Sequence, residues 1–118
     1  MVPTLEMLLL LASGATLAAD ETADRQIDFG LKVAQKGLWQ EARFRFERAV
    51  QADPQSASAL NNQAVALEQM GEFAGARKAY EKALELKPDD AYVQQNYDLF
   101  READDKRNRK NKRKRPQP

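Results

Sequence analysis

The chain has 118 residues, 42% hydrophobic and 31% charged, a size that fits one domain. It holds no Cys and no His, which excludes thiol nucleophiles, Ser–His pairs and the usual zinc ligands; no Gly-rich phosphate loop appears either. Eight of the 19 basic residues and none of the 18 acidic ones lie in residues 106–118, so residues 1–105 carry 11 against 18, a net −7 beneath a total of +1.

Residues 1–19 form an apolar leader. Met7 to Leu11 runs without a break, small residues dominate from Ala12 to Ala19, and Asp20-Glu21 follows. An apolar block ahead of small residues fits a secretory signal peptide whose small-residue cleavage site is Thr16 with Ala18, or Ala15 with the nearby alanines. Against this, no Lys or Arg precedes the block, and Glu6 stands at its edge. The block is shorter than the ~20 apolar residues that span a bilayer. Export to the periplasm or medium is the expectation; a buried extra helix packed on the following domain, in a cytoplasmic protein, is the other reading.

From residue 23 the chain repeats itself at an offset of 34 residues. Gly37 recurs as Gly71, Trp39 as Phe73, Ala42 as Ala76, Phe46 as Tyr80, Ala49 as Ala83 and Pro54 as Pro88. A fixed period in this range marks stacked supersecondary units. Glycine at each junction tolerates the left-handed backbone that ends a helix. Ala42 and Ala76 allow close helix approach, Phe46 and Tyr80 follow one turn later on the same face, and each proline stops its helix. The spacing predicts helices over Asp24–Lys36, Gln40–Ala52, Ser58–Met70, Ala74–Leu86 and Asp90–Asp104. Asp24, Asp89 and Asp90 read as helix-start residues rather than as catalytic carboxylates.

These residues resemble the tetratricopeptide repeat, a helix–turn–helix unit of 34 residues. The second unit, residues 57–90, carries Leu60, Ala64, Leu67, Gly71, Phe73, Ala76, Tyr80, Ala83 and Pro88 at the family's positions and departs at Gln63. The first unit, residues 23–56, carries Phe29, Gly30, Val33, Gly37, Trp39, Ala42, Phe46, Ala49 and Pro54 and departs at Gln26, where a large apolar residue is usual. A third, partial unit over residues 91–105 supplies Val93, Asn96, Tyr97 and Leu99, has Asp98 where Gly or Ala is usual, and resembles the capping helix that closes such arrays. The resemblance implies an all-α fold over residues 20–105: a short α–α superhelix that serves as a non-catalytic protein-binding scaffold without a cofactor.

In the family the first helices of successive units line a concave groove. The corresponding residues are Asp24, Ile27, Leu31 and Gln35, then Asn61, Asn62, Val65, Glu68 and Gln69, then Tyr92, Gln95, Asn96 and Leu99. Mixed apolar and amide side chains suit an extended peptide; Asn62 and Asn96 also suit packing between repeats. One subclass grips a chaperone's C-terminal carboxylate with a set of Lys, Asn and Arg side chains. Here Asn62 fits that set, but Ile27, Leu31, Tyr92 and Asn96 fill the other places, so this clamp is absent. Stacked repeats bury their core only against neighbours, so the open first helix, at Ile27, Phe29 and Leu31, calls for self-association, the leader or a partner protein.

Residues 106–118 form a basic tail. Lys106, Arg107, Arg109, Lys110, Lys112, Arg113, Lys114 and Arg115 stand without an acid, and a like-charge block of this kind is expected to be disordered. Its expected contacts are polyanions, an anionic membrane, an envelope polymer, or nucleic acid if the protein is cytoplasmic; a solvated tail, or one folded back on the acidic body, is the other reading. No aromatic is interleaved to stack a base. The sequence therefore reads as an adaptor of the bacterial cell envelope, or alternatively as a cytoplasmic accessory factor whose tail binds RNA or ribosomes.

Overall fold

Glycine decides where the first helix of each full repeat ends. The computed structural model describes residues 22–116, and Gly37 and Gly71 have φ of 76° and 78° within it. Gly37 N–H donates to the Ala34 carbonyl at 2.9 Å and Leu38 N–H to the Val33 carbonyl at 3.0 Å. Gly71 N–H and Glu72 N–H do the same to Glu68 and Leu67, at 3.1 and 2.9 Å. These paired bonds satisfy the last carbonyls of each helix and turn the chain back. A Cβ would meet nothing within 4 Å at either glycine, so the backbone angle, not space, requires them.

The described residues form five helices in order: α1 over residues 22–35, then α2 Trp39–Ala52, α3 Ala57–Gln69, α4 Phe73–Leu86 and α5 Ala91–Lys114. The described residues contain no strand. Ser56 Oγ caps α3 by accepting from Ala59 N–H at 3.1 Å, and Asp90 caps α5 by accepting from Tyr92 and Val93 N–H at 3.1 and 3.2 Å. Such caps satisfy donors that the first turn leaves open. The all-α repeat architecture is as expected from the 34-residue period, with helix ends shifted by a residue or two, apart from α5. Residues 1–21, and the leader reading with them, lie outside the described residues.

Alanines mark the crossings. Ala42, Ala49, Ala59, Ala64, Ala66, Ala76 and Ala83 are fully buried where α2, α3 and α4 meet. Larger residues fill the gaps between crossings. Phe46 sits against Ala42 and Ala66. Tyr80, Phe100 and Tyr97 form an aromatic group at the α4–α5 contact, with ring centroids 5.5 to 6.4 Å apart. Burying one such ring contributes about 1.5–3 kcal/mol, and ring pairing adds to that. Gly30 admits α1 onto α2, because a Cβ there would overlap the Phe46 ring. Gln26, the departure in the first unit, has its Oε1 buried with no hydrogen-bond partner among the described residues.

Two expectations are corrected here. Ile27 does not belong to an open end: it is 9% exposed and packs on Ala49 and Ala59, while Phe29 stays 45% exposed under the Arg45 guanidinium, 4.2 Å from its ring centroid. The basic tail is not disordered from residue 106: α5 continues through Lys114. Lys and Arg are good helix formers, no Gly or Pro intervenes before Pro116, and cations in a last turn complement the helix dipole. Glu102–Lys106 at 3.0 Å and Asp104–Arg107 at 3.0 Å carry the helix across the boundary.

Candidate functional site

The first helices of the three units open a cleft of about 280 Å³. Leu31, Ala34 and Gln35 come from α1, Asn62 and Val65 from α3, Tyr92 from α5, and Trp39 and Phe46 from α2. No charged side chain lines it. The 34-residue period places these positions on matching faces of α1, α3 and α5, and the small crossings beneath hold the helices side by side. Apolar walls with two amides suit an extended segment, whose backbone needs hydrogen-bond partners while its side chains need shallow apolar seats.

The cleft gathers five of the thirteen residues the sequence nominated: Leu31, Gln35, Asn62, Val65 and Tyr92. Ile27 and Asn61 are corrected to packing roles. Asn61 is 1% exposed and its Oδ1 accepts from Asn96 Nδ2 at 3.2 Å, tying α3 to α5. The amide pair between repeats is thus Asn61–Asn96. Glu68 Oε2 accepts the Tyr80 hydroxyl at 3.0 Å; burial, then the Glu68 carboxylate, push the Tyr80 phenol far above its ordinary value. Asp24, Gln69, Gln95 and Leu99 are exposed and do not line the cleft. Sequence reasoning missed Trp39 and Phe46 as lining residues, because both carry family positions that read as core.

A second feature lies on α5. Asp104 Oδ2 accepts from Arg77 at 2.8 Å and its Oδ1 from Arg107 at 3.0 Å. The bond from Arg77, ahead of the nearby Arg107, holds the Asp104 carboxyl below the usual carboxylate range. Arg107 also lies over the Phe73 ring, 3.3 Å from its centroid, so it belongs to the domain rather than to the tail. Lys106, Arg109, Lys110 and Arg113 line one shallow surface of the helix. Lys112, Lys114 and Arg115 are exposed elsewhere on this turn of the chain. Among the described residues no three His, Cys, Asp or Glu group to hold a metal ion, and no described helix is long and apolar enough to cross a membrane.

The sequence model of the tetratricopeptide repeat matches residues 27–91, more than half of the chain. The chain belongs to the tetratricopeptide repeat family. Among solved structures, the crystal structure of the Sgt2 TPR domain from Aspergillus fumigatus is similar at a TM-score of 0.61 and 20% identity, covering 92% of this chain and 85% of that one. At that identity the likeness concerns the fold. No curated protein matches. Tetratricopeptide repeats are generally protein-binding adaptors without catalysis of their own.

Proposed function

We propose that this chain is a non-catalytic adaptor that holds an extended segment of a partner protein in the cleft between α1, α3 and α5. The observation that carries the reading is the lining: Leu31, Val65, Tyr92, Trp39 and Phe46 supply apolar seats, and Gln35 and Asn62 supply amides for a peptide backbone. The experiment is selection from a library of random peptides with the full chain, followed by titration of the selected peptide against Leu31→Glu. Leu31 is already 42% exposed, so a charge there spares the fold and blocks the cleft. Selected peptides rich in apolar residues, with binding lost in the variant, support the reading. Unchanged binding to the variant refutes it.

On sequence grounds the adaptor is exported to the bacterial cell envelope, since an unbroken apolar run and small residues precede Asp20. Fractionation with N-terminal sequencing checks this. A mature chain starting near Asp20 outside the cytoplasm agrees, and a full-length cytoplasmic chain contradicts it.

A further inference from the structure

The cleft and the basic part of α5 share one line along the same helix. Tyr92, Leu99, Lys106 and Arg113 stand seven positions apart, so they drift by only about 20° per step around a straight helix. Tyr92 lines the cleft and is 65% exposed, and Leu99 is 59% exposed. Arg109 and Lys110 flank the same line and join Lys106 and Arg113 in one shallow surface. The stripe that leaves the cleft thus runs aromatic, aliphatic, then cationic. Arg109, Lys110 and Arg113 have no ion-pair partner among the described residues, whereas Lys106 is held by Glu102 at 3.0 Å.

Resting on the cleft reading above, we propose that the partner segment carries an acidic run next to its apolar anchor, and that this run lies along Lys106, Arg109, Lys110 and Arg113. From Tyr92 to Lys106 is about 21 Å of helix at about 1.5 Å per residue. An extended chain covers that in roughly six residues. The row lies on the side of α5 that carries Tyr92, so a segment seated in the cleft and following α5 must pass over it. Charge complementarity there selects acidic partners and speeds their encounter. Three exposed ion pairs in the middle of the usual range amount to about tenfold in affinity. The helix beyond Asp104 thereby becomes an extension of the groove rather than a separate anchor.

The test uses the full chain and fluorescein-labelled peptides: an apolar Leu/Phe block, a Gly/Ser spacer of roughly six residues and a Glu run. Both chain orders are made, and Gln replaces Glu in the control peptide. Fluorescence anisotropy should give about tenfold tighter binding of one acidic peptide at low salt, with the gain fading as screening shortens. The double variant Lys110→Glu/Arg113→Glu should lose that gain and still bind the Gln peptide like the parent. If the Gln peptide binds and Glu adds nothing, the inference fails and the cleft reading stands. If no peptide of either kind binds, the cleft reading fails and takes the inference with it. A gain that persists in the double variant also overturns the inference. So does binding of anionic phospholipid vesicles at physiological salt that the double variant abolishes while the acidic peptide gains nothing.

Discussion

Asp104 joins Arg77 at 2.8 Å across the α4–α5 contact, and that pair, with Arg107 over the Phe73 ring, marks where the packed domain gives way to the free part of α5. The Asp104 side chain is 12% exposed and that of Arg77 35%. The aromatic group of Tyr80, Tyr97 and Phe100 lies just before it, and the basic row lies just after.

Asp104→Ala removes the acceptor of both guanidinium groups. Loss of charge-assisted bonds in this half-shielded place is expected to cost about 1–2 kcal/mol, read as a lower melting temperature. The pH dependence has a definite sign. The folded carboxyl titrates below its unfolded value of about 3.9, so the stabilisation is complete above that pH and is lost as pH falls through the lower folded value. The stability difference between parent and Asp104→Ala should therefore be constant near neutrality and shrink below about pH 4. A difference that grows on acidification contradicts the assignment.

Ala76 is fully exhausted of space at the α3–α4 crossing, where Ala64, Leu67 and Tyr80 surround it. Ala76→Leu should cost about 1–3 kcal/mol through overpacking. Chemical denaturation of the pure variant measures it, and a midpoint equal to the parent's would show that this crossing has room.

Two glycines should fail for different reasons. Gly37→Ala meets no atom within 4 Å but must hold φ near 76°, a cost of about 1–2 kcal/mol. Gly30→Ala has an ordinary helical backbone but drives its methyl group into the Phe46 ring. Replacing Phe46 by Leu in the same chain should relieve part of the Gly30→Ala loss and none of the Gly37→Ala loss. Equal relief for both would refute the distinction.

The repeat pattern made most of the fold legible, because glycine, alanine and proline positions each answer to a local backbone or contact requirement. The course of α5 past Asp105 was not, since charge repulsion and helix propensity oppose each other there, and the Arg77–Asp104 contact that seats the helix just before it joins residues 27 positions apart. The cleft was half legible. Helix phase together with the groove that the family resemblance implies placed Leu31, Gln35, Asn62, Val65 and Tyr92, but nominated Asn61 beside Asn62; the two differ by about 100° around the helix, and the Asn96 contact shows that Asn61 turns inward. Trp39 was hidden by its double duty as packing residue and cleft wall.

Gln26 occupies the place that Leu60 fills in the second unit, and its buried Oε1 lacks a partner among the described residues. An unsatisfied buried acceptor costs about 1–3 kcal/mol. Gln26→Leu should raise the melting temperature, which calorimetry would show; a fall would mean that the amide is satisfied and supports α1.

Trp39 is the one tryptophan of the chain and lines the cleft, so its emission reports directly on what enters. The decisive measurement is a titration of the full chain with a library-selected apolar peptide, followed at Trp39 in parent and Leu31→Glu side by side. Saturable change of the Trp39 emission in the parent, absent in the equally folded variant, is the expected result. Peptide binding that leaves Trp39 unchanged, or that changes it alike in both chains, would place the partner elsewhere and contradict the account.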